Sequence, residues 1–404
     1  MLNILQKVDP KVVGARLQEA RRARNFTQQY VATAMDIART TVVAIEKGER
    51  RITSQELVAL SGLYGISVSR LLKMPTDSAI SDFVPQFRHG WREAFESEPE
   101  LERVASDLQR FAEDFVELEH LNEMAKTTKD NPQYSISGLS PEQAGEEIAI
   151  AERNRLGIGD GPISNLRERL EMDVGLRVFY FEMPSGVSGI FAYSDSLGGC
   201  VGINSKHPRD RRHWSLGHEY GHYLTTRFNV EITFLRNNRR LASSERFADA
   251  FAENFLMPAS GLNRRFTEMT RSTEKGMTMA EICQLADLYQ VSVQALVLRL
   301  ENLRRVPSGT WEHLAHNGFK TREAQRILGI NANPPIDELP RWYMKLAVMA
   351  FEKGEVSEGQ LARYLRTDRL TARLLVEGLS SNYQEKENGF VNVEIDFAQE
   401  IVRR

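Results

Sequence analysis

Apolar positions near the N-terminus recur at helical spacing. Val13, Leu17 and Ala20 predict a first helix. Phe26-Thr27 opens a second, with Thr27 as the N-cap of QQYVATAM, and Met35-Asp36-Ile37 predicts a short turn. ARTTVVAIEKG then predicts a third helix that Gly48 stops, and LVALSGLYGISVSRLL continues in the same helical manner. Two helices joined by so short a turn have helix-turn-helix grammar.

Further along, Leu101, Val104, Leu108, Phe111, Phe115 and Leu118 alternate steps of three and four with charged residues between them, which is a heptad seam. Such a seam serves equally a dimerising helix or a helix packed on its own chain. Residues 127–141, TTKDNPQYSISGLSP, read as a polar linker. LSGLYGISVSRLL at 60–72 is echoed by LADLYQVSVQALV at 285–297, a recurrent way of packing two helices. Amphipathic helices return after Pro340, notably in VSEGQLARYLRTDRLTARLLVEGL. These suit either a second helix-turn-helix-like module for a partner protein or a helical cap that completes a core.

Composition bounds these readings. The chain has 404 residues, 41% hydrophobic and 26% charged, as folded proteins of two or three domains do. No stretch approaches the roughly 18 apolar residues of a membrane span, and MLNILQKVDPKVV lacks the apolar core of a signal peptide, so a cytoplasmic protein without membrane contact is expected. Cys200 and Cys283 have no paired spacing and read as reduced core thiols. The net charge is −3, yet residues 11–51 hold nine Lys or Arg against four acids, a local excess of +5 that suits phosphate.

With that patch in place, FTQQYVATAMDIARTTVVAIEKGERRIT followed by LVALSGLYGISVSRLL resembles the XRE (lambda-repressor-like) DNA-binding family over residues 12–73. The resemblance implies a five-helix domain on a double-stranded DNA operator, working as a two-fold homodimer. By position, Gln28 would fix a phosphate, while Arg39, Thr40, Thr41 and Ala44 would face the major groove, with Lys47 among the contacts. Arg39 is the candidate for a bidentate bond to guanine. Ala38 stands where the family commonly has a capping serine, and Val43 replaces another small polar residue, so a loss of about 1 kcal/mol from the missing cap is expected.

HEYGH, residues 218–222, is the second focus of chemistry. On a helix running through RDRRHWSLGHEYGHYLTT, with Pro208 in its first turn, positions i and i+4 put His218 and His222 on one face. Glu219, rotated by about 100°, reaches water rather than a metal. SSERFADAFAENFLMP predicts a second helix, capped by Ser243 or Ser244, that supplies Glu245 as third ligand and Asp249 one turn later to hold a ligand histidine. Gly217 and Gly221 facing Ala248 and Ala252 would allow close packing, with Phe247, Phe251 and Phe255 in the core.

GHEYGHYL followed by ERFADAFAENFLMP resembles the ImmA/IrrE zinc metallopeptidases over residues 141–300. VGLRVFYFEM, SGIFAYS and GCVGINS are similar to that family's sheet, and Asp249 stands where many members have Asn. The resemblance implies Zn²⁺ and amide hydrolysis with Glu219 as the proton carrier, a substrate adding as a strand beside GCVGINS, and, for some members, XRE-type repressors as substrates.

The expected architecture is multidomain and mainly α: a helix-turn-helix domain at 1–75, a helical arm and linker at 76–140 with a dimerising role open, an α+β zincin-like domain with a small sheet at 141–260, a helical extension at 261–330 and a helical module at 331–404. The expected function is a regulator that joins operator binding to zinc-dependent cleavage of a repressor, another or itself. The rival is a non-proteolytic repressor or antitoxin whose zincin-like domain binds a partner toxin or a small-molecule signal.

Overall fold

A computed structural model describes residues 9–24, 26–64, 68, 71, 83, 100–124, 131–234, 242–271, 277–330, 337–379, 383–386 and 389–392. The chain divides into two compact units, Met1–Ile80 and Ser81–Arg404. Among the described residues none forms a helix long and apolar enough to cross a membrane.

In the first unit α1 (Pro10–Ala23), α2 (Gln28–Ala34), α3 (Arg39–Glu46) and α4 (Ser54–Tyr64) enclose Val13, Leu17, Val31, Val42, Ile45, Leu57 and Leu60. Thr27 caps α2 by accepting from the Tyr30 amide, as its position predicts. Asp36 takes the left-handed conformation that turns the chain, at φ 52°, and Gly48 follows α3 at φ 69°. Ala38 offers α3 no side-chain cap. Most of the fifth helix expected near residue 70 lies outside the described residues, although Leu71 is buried in this core.

The second unit is built on a four-stranded mixed sheet. Its elements begin with α5 (Glu100–Leu121), α6 (Pro141–Arg155), α7 (Leu166–Arg169) and a π-helical turn (Leu170–Val174). Strands β1 (Arg177–Phe181), β2 (Val187–Ser194) and β3 (Gly198–Asn204) lead to α8 (Arg209–Thr226), β4 (Glu231–Phe234) and α9 (Ser243–Leu256). There follow α10 (Ala259–Thr270), α11 (Met279–Leu288), α12 (Val293–Asn302), α13 (Thr310–His316) and α14 (Thr321–Ile327), then α15 (Arg341–Glu352), α16 (Glu358–Tyr364), α17 (Arg369–Leu379) and a hairpin of β5 (Tyr383–Lys386) and β6 (Gly389–Asn392). The strand order is β1-β3-β2-β4, with β1 parallel to β3 and the other pairs antiparallel.

Period-two alternation divides the sheet between two cores. Val178, Phe191, Val201 and Ile203 face Leu216, Tyr220, Phe251 and Phe255 on α8 and α9. Phe179, Ile190, Ala192 and Cys200 face the opposite side, where α5 and α15 lie. There the heptad seam is occupied: Leu101, Val104, Leu108, Phe111, Phe115 and Leu118 are buried in this core, and the Phe111 ring stacks on Phe179 at 4.8 Å. Of the two readings of the seam, packing on its own chain is the one observed. The amide of Asn122 donates to Leu346 O at 2.9 Å and ties α5 to α15.

Residues 131–136 are not a loose linker. Asn131 donates to Val174 O at 2.7 Å and to Tyr223 Oη at 3.0 Å, and the Tyr134 amide donates to Leu224 O at 2.9 Å. Polar composition misleads there because the polar groups are used to bond the flank of α8. Cys200 and Cys283 are both buried free thiols.

Candidate metal centre and nucleic-acid interface

Helix α8 starts after Pro208, which is its N-cap rather than a first-turn residue. Arg212 donates to His207 O at 2.6 Å and closes that end. From residue 215 to 224 every side chain is buried, so the imidazoles sit inside the protein. His218 and His222, one turn apart, bring their Nε2 atoms within 3.1 Å of each other. Glu245 on α9 reaches the same point, with Oε1 at 3.3 Å from His222 Nε2 and Oε2 at 3.9 Å from His218 Nε2.

Close contact of the two helices makes this possible. A Cβ at Gly221 would lie 3.2 Å from Phe251 Cδ1 and 3.3 Å from Ala248 Cα, so any side chain there would press α9 back by a few tenths of an ångström. Gly217 is less tightly placed, its nearest neighbours being Leu256 atoms at 3.5 Å and the Ala252 Cβ at 3.6 Å. The expected serine cap of α9 is absent. Ala242 is the N-cap without a side-chain bond, and Ser243 and Ser244 lie inside the first turn. The chain enters this helix one residue earlier than the serines suggest.

His218 Nδ1 lies 2.8 Å from Asp249 Oδ1, which makes Nδ1 the donor and leaves Nε2 as a lone pair in the neutral ring. Burial acts to lower the His218 pKa, but the hydrogen bond and charge of Asp249, with the charges of Glu219 and Glu245, outweigh it and the net shift is upward. Burial pushes His222 down. Two buried imidazole nitrogens and a carboxylate directed at one point repel one another unless a positive charge lies between them. His218, His222 and Glu245 are the group among the described residues that could hold a metal ion, with one ligand atom of each within 4.8 Å of the others.

Glu219 lies beside this cluster, fully buried. Its Oε1 accepts from Thr233 Oγ1 at 2.6 Å. Thr233 is on β4, an edge strand of the sheet. The site also abuts β2, because a Cβ at Gly189 would meet Glu219 Oε1 at 2.6 Å and its Cγ at 3.2 Å. Neither Thr233 nor Gly189 was identifiable from the motif, because only the strand register brings them to α8. For Gly189→Ala we expect hydrolytic activity to fall by about tenfold or more through displacement of Glu219, with metal content unchanged; equal activity in the variant would show that Glu219 tolerates the shift.

The expected substrate strand beside GCVGINS is corrected by the sheet order. This segment is β3, flanked on both sides by β1 and β2, and offers no edge. The β1 edge is partly covered, since the Tyr180 amide donates to Glu338 O at 2.9 Å. Tyr220 Oη donates to the buried Glu152, Arg212 holds the loop before α8, and burial pushes the His213 imidazole down to about 4.

In the first unit Arg39 and Thr40 are exposed on α3 and Lys47 is exposed just past its end, with Thr41 and Ala44 half-buried on the helix. Gln28 is differently engaged, its amide donating to Glu46 Oε2 at 2.9 Å. Glu46 also receives Arg21 Nε at 2.6 Å and Nη2 at 3.0 Å, a buried pair that joins α1 to α3.

Comparison with known families agrees with this geometry. Residues 17–71 match the helix-turn-helix family model, and residues 171–301 match the M78 peptidase model described as the IrrE N-terminal-like domain. No curated protein matches the chain. The second match runs from the π-helical turn through α12 and includes the His218, His222 and Glu245 cluster. The chain thus matches, from N- to C-terminus, an XRE-type helix-turn-helix region followed by an IrrE/ImmA-like peptidase domain.

Proposed function

We propose that this protein is a cytoplasmic DNA-binding regulator whose second unit is a zinc-dependent endopeptidase acting on a repressor, another XRE-type chain or its own. The convergence of His218, His222 and Glu245 within 4.8 Å, with Glu219 beside them, carries this reading. Two neutral nitrogens and one carboxylate suit Zn²⁺ and leave a coordination position for chemistry. Zinc, when held there, supplies Lewis acidity that polarises a peptide carbonyl and acidifies water.

The protein's own residues do the remainder. Asp249 fixes the His218 tautomer and ring angle, and Thr226 Oγ1 lies 3.4 Å from His222 Nδ1. Glu219 accepts a proton from the attacking water and returns it to the leaving nitrogen as the C–N bond breaks. Thr233 holds Glu219 Oε1 in place for that transfer. The β4 edge, which carries Thr233, is the side on which an extended substrate would lie.

In the first unit the exposed face of α3 would enter the major groove, with Arg39, Thr40, Thr41 and Ala44 toward base edges and Lys47 toward phosphate. Gln28, already bonded to Glu46, would use the second N–H of its amide for a phosphate.

The zinc-loaded full chain, incubated with candidate XRE-type repressors and alone, is expected to release defined fragments, with chelator stopping the reaction. Intact substrates throughout would favour the rival, a repressor or antitoxin whose zincin-like domain only binds a toxin or signal. The presence of Glu219, which a pure scaffold does not require, supports chemistry.

A further inference from the structure

The back of the metal centre is held as closely as its front. Helix α6 lies hard against α9: a Cβ at Gly145 would stand 2.7 Å from the Ala250 Cβ and 2.7 Å from the Phe251 amide nitrogen. Near the far end of α9 the Arg153 guanidinium donates to Phe255 O, and near its start Arg246 donates to Glu142 Oε1 at 2.7 and 2.9 Å. Helix α6 is therefore fixed on the helix that supplies Glu245. It precedes the residues that match the peptidase family, which begin at 171.

From the same helix Glu152 reaches across to α8. Its side chain is fully buried, and so is that of Tyr220, whose Oη donates to Glu152 Oε2. Arg155 neutralises the carboxylate through two bonds, at 2.8 and 2.7 Å, and donates to the Tyr220 oxygen at 3.1 Å. Tyr134 Oη adds a further bond to Glu152 Oε1 at 2.9 Å. Tyr220 stands half a turn round α8 from both His218 and His222, and next to Glu219 in sequence. Holding its hydroxyl thus fixes the angle at which the opposite face of α8 meets α9.

We propose that Glu152 is a positioning residue of the metal centre, acting through Tyr220 to set the rotation of α8 against α9. A buried carboxylate, even a paired one, gives little net stability, since apolar side chains of the same volume would hold the helices as well. What the polar contact adds is direction. The Tyr220 ring packs edge-on against Phe251 and Phe255, 5.6 Å from each, and such contacts let a ring slide, whereas a hydrogen bond to a carboxylate held by Arg155 has one line. A rotation of about 10° carries an atom about 6 Å from the helix axis through about 1 Å, and a misplacement of that size costs a reaction about 100-fold. The kinetic consequence rests on the hydrolase reading above; the effect on metal geometry does not require turnover.

The full chain loaded with Co²⁺ in place of zinc tests this, because the visible d–d absorption of cobalt follows the angles among its ligands. Tyr220→Phe is expected to bind about one Co²⁺ per chain with altered d–d bands, and its zinc form to release metal to a chelator about tenfold faster than the wild type. Its Tm and circular dichroism should stay close to wild-type values, because Glu152 keeps its bonds to Arg155 and Tyr134. Glu152→Ala should share the altered bands, and the conservative Glu152→Gln, which keeps an acceptor for the phenol, should reverse them. Tyr134→Phe removes a hydroxyl bonded to the same carboxylate but not to α8, and should leave bands and release rate unchanged. In hydrolysis, Tyr220→Phe should lower kcat by about tenfold or more with KM unchanged. A Tyr220→Phe protein with wild-type bands and release rate would overturn the proposal, as would altered bands in Glu152→Gln or equal changes in Tyr134→Phe. Altered bands in a chain that cleaves nothing would uphold it and remove the hydrolase reading alone; a wild type that binds no Co²⁺ would remove the metal centre and this proposal with it.

Discussion

Replacing Glu219 by Gln is expected to lower peptide hydrolysis by about 10³-fold or more, with metal content and operator binding kept at the wild-type level. The amide preserves the volume of a fully buried side chain and can still bond Thr233, so the fold around it is retained. What is lost is the ability to take a proton from water. A quantitative cleavage assay of the zinc-loaded chain and its variant checks this, with metal analysis of both. Equal rates would remove Glu219 from the reaction. Loss of metal in the variant would place it among the ligands instead.

Glu46→Ala is expected to unfold the first unit selectively. Glu46 and Arg21 are a buried bidentate pair, to which Gln28 adds a third hydrogen bond. Removing the carboxylate leaves a guanidinium without its counter-charge in the core, at a cost of about 3 kcal/mol or more. A helical unit this small has little stability in reserve. Thermal unfolding of the full chain should lose its transition for this unit, and operator binding should disappear, while the metal content stays constant. A variant that unfolds like the wild type would show that the pair adds no net stability. The same carboxylate gives a pH signature. Burial raises its pKa, but the hydrogen bonds of Arg21 and Gln28 outweigh burial and hold it below the usual range. Its contribution is therefore complete above the unfolded value of about 4.3 and is lost as pH falls through the lower folded value.

The sequence made local features legible and left their neighbours open. His218 and His222 could be placed on one face because helical spacing alone decides it, and Glu245 and Asp249 followed because they lie one turn apart on a helix that small residues bring close. The start of α9 was misplaced, since serines favour an N-cap but Ala242 adopts the extended cap conformation without needing a side-chain bond. Strand order was beyond reach: GCVGINS alternates as any strand does, and its place between β1 and β2 depends on pairing with distant residues. Thr233 was hidden for the same reason.

The seam of α5 shows a different limit. A stripe of Leu101, Val104, Leu108, Phe111, Phe115 and Leu118 fixes which face is buried but not what covers it, and the cover comes from the sheet, through Phe179, and from α15, more than two hundred residues away. In the C-terminal region the helical cap that completes a core is the role observed. Tyr343, Leu346 and Ala347 complete the core under the sheet, while α16 and α17 keep a helix-turn-helix outline with an exposed second helix. Period alone cannot separate a reading helix from a packing one; the side chains at matching positions do so.

Metal content tests the central claim most directly. Protein purified without chelator is expected to carry about one zinc per chain, and His222→Ala should lose it while the first unit still binds DNA. A wild type without stoichiometric metal, or a His222→Ala variant that retains it, would contradict the assignment of His218, His222 and Glu245 as a metal centre.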